Sequence, residues 1–210
     1  MTTHTIKQGE HISKIALKYG FRDYRTVWNA PENSDLKKKR VNPNVLLPGD
    51  ILYIPDLRTK TETRPTDKKH VFKVITPKLM LRLVVVDFDN QPLSNTKCEL
   101  DVEGKKYPLI SNSDGKIEQP IPIGAESARL SVPSIEREWE VKIGHLDPHD
   151  EDTGWQQRLI NMGYYPKALY DKNEMLLREW IEEFQCDYGL PVTGKLDVAT
   201  ENKLKTVHGC

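Results

Sequence analysis

The sequence predicts a multidomain α+β chain: a βααβ module, then a small antiparallel β-sandwich, then a three-helix module. Three observations carry that prediction. Near both ends, apolar residues recur at spacings of three and four, which marks helical faces. Between about residues 70 and 146 they fall instead in short, β-branched runs separated by Gly, Asn and Pro turns. A stretch over 58–69 has no large apolar side chain and reads as a linker. The chain has 210 residues, 37% of them hydrophobic, which fits several small modules with thin cores better than one large core. The expected limits are 1–57, 58–69, 70–146 and 147–210.

In the first module, His4-Thr-Ile-Lys-Gln-Gly-Glu10 reads as an edge strand ending in a glycine turn. His11 to Gly20 follows as a helix, with Ile12, Ile15, Ala16 and Tyr19 on its buried face and Gly20 as its stop. A second short helix runs through Tyr24, Val27 and Trp28. Pro31 to Arg40 reads as a basic insertion whose Lys37-Lys-Lys-Arg40 run is a solvated loop. Asn42-Pro-Asn-Val-Leu-Leu-Pro-Gly-Asp50 is then a loop punctuated by Pro and Gly that delivers the strand Ile51–Ile54.

His4-Thr-Ile-Lys-Gln-Gly-Glu, Ile12-Ser-Lys-Ile-Ala-Leu-Lys-Tyr-Gly, Asn42-Pro-Asn and Leu47-Pro-Gly-Asp-Ile-Leu-Tyr-Ile-Pro55 together resemble the LysM family of bacterial wall-binding modules. The resemblance covers the whole of 1–57. It implies that a glycan containing N-acetylglucosamine binds between Gly9-Glu10-His11-Ile12 and Asn44-Val45-Leu46-Leu47. Loop amides and carbonyls suit the acetamido group, and small apolar side chains suit its methyl and ring faces. Ile12, Leu46 and Leu47 read equally well as core. His11 departs from the small hydroxyl residue usual in that family, and the 31–40 insertion is longer than usual.

The middle region divides into strands and turns. Leu79–Phe88, Thr96–Val102, Tyr107–Ile110, Ile117–Ile123, Ala128–Val132 and Trp139–Ile143 read as strands, with turns at Asp89–Leu93, Glu103-Gly104 and Asn112–Gly115. Leu83-Val-Val-Val-Asp-Phe-Asp-Asn-Gln-Pro-Leu, Ser113-Asp-Gly-Lys-Ile and Ile121-Pro-Ile-Gly-Ala resemble transthyretin-like β domains, which implies a spacer or docking role. His145, Asp147, His149, Asp150 and Asp152 have metal-ligand chemistry but no second ligand cluster. The stretch 144–152 therefore reads as a solvated acidic linker, and no metal or other cofactor is expected.

Helices return in the last module. Trp155 to Gly163 carries Trp155, Leu159 and Met162, and Glu174 to Gly189 carries a stripe of Leu177, Trp180, Ile181, Phe184 and Tyr188. Thr193–Asp197 is a turn and cap, and Ala199–Val207 is a third helix anchored by Leu204. Met162-Gly-Tyr, Ile181-Glu-Glu-Phe-Gln185 and Tyr188-Gly-Leu-Pro-Val-Thr-Gly194, followed by Leu196-Asp197, Thr200 and Leu204, resemble the three-helix peptidoglycan-binding module found beside wall hydrolases. The loop between that family's first two helices is reduced here to Tyr170-Asp-Lys-Asn173.

The chemistry of the whole chain narrows the function classes. Equal numbers of basic and acidic residues, 31 of each, give no support to bulk electrostatic binding of nucleic acid. No apolar run reaches the roughly 20 residues that span a bilayer. Cys98, Cys186 and Cys210 have neither metal nor disulfide spacing, so Cys98 and Cys186 read as small hydrophobes and Cys210 as a thiol of unassigned role. The N-terminus lacks a charged-then-apolar leader, so the expectation is synthesis in the cytoplasm and action in the periplasm or at the wall after non-classical export. No nucleophile–base pair stands out, so an enzyme is not expected. The two resemblances together imply a non-catalytic, bivalent partner of peptidoglycan or a chitin-like oligosaccharide. The order of segments also resembles proteins of type VI and other contractile injection systems, which would add a secreted toxin or spike protein as partner. A wall hydrolase is the remaining alternative.

Overall fold

The computed structural model describes residues 2–58, 61, 63–71, 77–87, 89–164 and 174–209. The reduced loop Tyr170–Asn173, Phe88 of the first long strand and Cys210 lie outside them. The architecture is mixed α+β, with small antiparallel sheets and a C-terminal helical region. The chain divides into two compact units: Met1–Asn44 with Pro48–His145, and Val45–Leu47 with Leu146–Cys210. Among the described residues no helix is long and apolar enough to cross a membrane.

The first unit begins with strand β1 (Thr2–Thr5), helix α1 (Ile12–Lys18) and helix α2 (Arg25–Trp28). A 3-10 turn at Pro31–Asn33 and helix α3 (Ser34–Lys39) lead to strand β2 (Ile51–Ile54). Strands β1 and β2 pair antiparallel, from Thr2 opposite Ile54 to Thr5 opposite Ile51. Ile12, Ile15 and Ala16 are buried, as the α1 spacing predicts, with Tyr19 half-buried; Val27, Trp28, Leu52 and Ile54 are buried as well.

The region 31–40 corrects the loop expectation. Lys37 to Lys39 stay exposed on α3, but Arg40 is 1% exposed. Its Nε donates to Asp50 Oδ2 at 2.8 Å and its Nη2 to Oδ1 at 3.3 Å. A guanidinium is tolerated inside because its fork matches the carboxylate. Asn33 is buried too, and its Nδ2 donates to the carbonyls of Val27 at 2.8 Å and Tyr53 at 2.9 Å. Its Oδ1 accepts the Tyr53 amide at 2.8 Å. One side chain thus joins the end of α2 to β2 and serves as a hydrogen-bonding partner for that strand.

The β region of this unit has two sheets. Strands β3 (Lys78–Val84) and β6 (Lys116–Pro122) form one; β5 (Lys105–Ile110), β4 (Lys97–Val102), β7 (Ser127–Val132) and β8 (Arg137–Lys142) form the other in that spatial order. Cys98, Leu100, Val102, Leu130 and Val132 from the four-stranded sheet share one core with Ile117, Ile121 and the half-buried Leu79, Leu81 and Leu83. The outward residues of β4 and β5, such as Asp101 and Lys106, are directly paired. Pro108 lies on edge strand β5, where a missing amide is tolerated.

The second unit contains α4 (Asp152–Asn161), α5 (Glu174–Asp187) and α6 (Val198–His208). Leu159, Tyr164, Trp180, Ile181, Phe184 and Leu204 form its core, with Trp155, Met162, Leu177 and Tyr188 packed against them. Cys186, expected as a small hydrophobe, is exposed, because it lies off the α5 stripe.

Asn33 gives a direct stability test. Asn33→Ala leaves a buried amide and carbonyl without partners and should cost about 1–3 kcal/mol, read as a lower urea midpoint with unchanged slope. Asn33→Asp should be no better, since a carboxylate cannot donate to the Val27 and Tyr53 carbonyls. A midpoint like that of the parent chain would show that these bonds add nothing.

Candidate functional site

The residues expected to read glycan divide by burial. Gly9 and Glu10 are half-buried, His11 is 2% exposed and Ile12 is fully buried. Asn44 is exposed, with its amide bonded to Asn42 Oδ1 at 3.0 Å. Val45 and Leu47 are half-buried, Leu46 is buried, and these three belong to the second unit. His11 and Ile12 are therefore interior side chains, and the 9–12 loop offers mainly its backbone with Gly9 and Glu10.

Within the first unit that loop is closely approached. A Cβ on Gly144 would lie 2.9 Å from the Gly9 carbonyl oxygen, and one on Gly9 would lie 3.0 Å from His145 Nε2. Gln8 Nε2 donates to the His145 carbonyl at 3.1 Å, and Lys14 pairs with Glu126 at 2.7 Å. His11 Nδ1 accepts the Lys14 amide at 3.4 Å, capping α1. Burial pushes the His11 ring below its ordinary value, opposed in part by the Ile123 carbonyl. An uncharged imidazole thus suits both the cap and the interior.

A hydroxyl–imidazole–carboxylate row also forms here. Tyr19 OH lies 3.2 Å from His4 Nδ1, and His4 Nε2 lies 2.7 Å from Glu10 Oε2. Burial alone would raise Glu10, but the hydrogen bonds from His4 and the Lys7 amide, with the charge of Lys18, hold its carboxyl low. His4 is buried, so this row ties β1 and the 7–10 turn to the end of α1.

The segment 144–152 is not a solvated linker. Asp147 is 7% exposed; its amide donates to Gln157 Oε1 at 2.7 Å, and its Oδ2 accepts from Thr153 and Gln157. Arg158, 1% exposed, donates through Nη1 to the carbonyls of Asp147 at 2.9 Å and Gly154 at 2.7 Å. Gly154 is needed because any Cβ there would collide with the Pro148 carbonyl. Among the described residues no three His, Cys, Asp or Glu side chains come together to hold a metal.

In the second unit the best-defined loop runs from Gly189 to Asp197, between α5 and α6. Fully buried Gln185 organises it. Its Oε1 accepts the amides of Thr193 at 2.7 Å and Gly194 at 3.0 Å. Its Nε2 shares two hydrogens among Thr193 Oγ1, the Lys195 carbonyl and Thr200 Oγ1, all within 3.0 Å. Asp197 then caps α6 by accepting from the Thr200 amide at 2.9 Å. This arrangement turns the apolar Val192 and Val198 outward, 56% and 74% exposed. The crevice between α4 and α6, bordered by His149, Trp155 and Glu201, holds only about 10 Å³, room for one water at most.

Arg158 carries no periodic or motif signal, and although Gln185 lies in the Ile181–Gln185 motif, its hold on the loop emerges only from the packing. Gln185→Leu should lower stability by about 1–3 kcal/mol and speed amide exchange at Thr193 and Gly194. Unchanged exchange there would refute the anchoring role.

Two histidines predict a pH response of the second unit. Burial, then the charge of Arg158, pushes His208 down to about 4. Burial likewise lowers His149. Above about 6.5, the ordinary value, neither state binds the proton and the groups contribute no slope. As pH falls from there to about 4, the unfolded chain takes up protons the folded chain refuses, so stability declines. His208→Gln should flatten that decline in urea midpoints measured from pH 7 to 4; an unaltered slope would contradict it.

Residues 154–204 match the family model described as "Putative peptidoglycan binding domain". The match begins at buried Gly154 and ends at core residue Leu204. No curated protein matches the chain, and no solved structure does. The helical region that Gln185 and Arg158 hold together is thus a peptidoglycan-binding domain.

Proposed function

We propose that this is a non-catalytic wall-binding protein that engages peptidoglycan through its C-terminal domain. The observation carrying the reading is the family match over 154–204, joined to an ordered loop and helix start that present Val192 and Val198 to solvent. An apolar patch beside backbone groups suits sugar rings and acetamido methyls. The site of action that follows is the wall or periplasm, reached by export.

Bivalency is the finer reading. A second contact to glycan containing N-acetylglucosamine, from Gly9, Glu10 and exposed Asn44 of the first unit, would make rebinding intramolecular at roughly millimolar effective concentration. A docking role for the β-sandwich, as in an injection-system adaptor, is favoured by Trp139, 40% exposed on edge strand β8.

Cosedimentation of the full chain with purified sacculi tests both levels. The intact protein should pellet without releasing muropeptides, and Val192→Glu should weaken retention by at least about tenfold. Asn44→Ala, together with competition by soluble chito-oligosaccharide, should weaken it further if binding is bivalent. Failure of the intact chain to pellet would reject wall binding; a full effect of Val192→Glu with none of Asn44→Ala or the competitor would reject bivalency alone.

A further inference from the structure

The first unit has a cleft of about 340 Å³ that the wall-binding reading does not use. It lies where the turn from α1 into α2 meets the β-sandwich. Its walls include Ser13, Arg22, Asp23, Tyr24, Arg25 and Lys78. Three cations therefore line the cleft with one carboxylate, in a chain whose 31 basic and 31 acidic residues balance overall.

The cations differ in how far they are committed. Arg25 Nε stands 3.8 Å from Asp23 Oδ1, and that oxygen already accepts the Arg25 amide at 2.9 Å. Arg22 and Lys78 have no ion pair or side-chain hydrogen bond among the described residues. Five other basic residues of this unit, Lys14, Lys38, Arg40, Arg82 and Lys106, each meet a carboxylate. Two cations without an ion pair among the described residues thus line one concavity, which Ser13 and Tyr24 also line.

We infer that this cleft is an anion-binding site for a small ligand bearing two or more negative oxygens, phosphate or paired carboxylates. The reasons are geometric and electrostatic. A guanidinium fork accepts a phosphate or carboxylate edge through two parallel bonds. Lys78 adds a point charge to the same lining, and the hydroxyls of Ser13 and Tyr24 have the chemistry to bond the ligand's remaining oxygens. The volume lies at the lower end of the range for small-ligand sites. Because the cleft is open, the attraction is screened by salt, and the expected affinity is on the order of millimolar.

Calorimetric titration of the full chain at low ionic strength tests the assignment, with inorganic pyrophosphate and glutarate as probes. At least one probe should saturate, with affinity falling as salt rises. The double variant Arg22→Ala/Lys78→Ala should lose at least about fivefold, while Lys37→Ala/Lys38→Ala, which removes exposed cations elsewhere, should keep the parent affinity. Saturation by pyrophosphate alone supports a phosphate ligand, and by glutarate alone a dicarboxylate. No binding by the parent chain, or equal loss in both double variants, overturns the site.

Discussion

Asn33 and Gln185 solve the same physical problem in two separate units. Each is an amide almost wholly removed from water, and each uses both its oxygen and its nitrogen on the main chain of a loop or strand. Small modules bury too little apolar surface to hold irregular backbone by packing alone. Buried carbonyls and amides must still find partners. A single amide side chain can serve both kinds of group at once, so it fixes a loop that the core cannot reach. Arg40 with Asp50, and Arg158 with the carbonyls of Asp147 and Gly154, extend the device to charge. The remaining surfaces are arranged around these fixed points.

That arrangement bears on recognition. In the C-terminal domain the amide-held loop packs Leu190 and Leu196 inward and leaves Val192 outside, where, on the proposed reading, a polysaccharide strand lies across it. In the first unit the loop bearing Gly9 has its His11 and Ile12 side chains turned inward, so the second glycan contact we propose there would fall to backbone and to few side chains. Shallow contacts of this kind are individually weak. On the proposed reading, a wall polymer that offers many repeats compensates through local concentration. The cleft beside Arg22 and Lys78 has a different character, since its donors are charged and directional rather than apolar.

Particular residues show where sequence reasoning succeeds and where it stops. The α5 stripe of Leu177, Trp180, Ile181 and Phe184 and the alternation of Cys98, Leu100 and Val102 are legible because periodicity is a local property of the chain. The cap at Asp197 and the turn at Asn112–Gly115 are legible for the same reason. Arg40 is misread within a basic run because its partner Asp50 lies ten positions away, beyond any local rule. Asp147 looks solvated because acidic neighbours surround it in sequence, whereas Thr153 and Gln157 enclose it in space.

By itself, then, the sequence determined the succession of helices and strands, the apolar face of each, and the peptidoglycan-binding character of 154–204, since all of these are written in local order and spacing. Only the tertiary structure decided which polar side chains went inside and which loops they hold. It also decided which cations line a cleft without an ion pair among the described residues. Desolvation and pairing depend on what meets in space, and groups distant along the chain supply those partners.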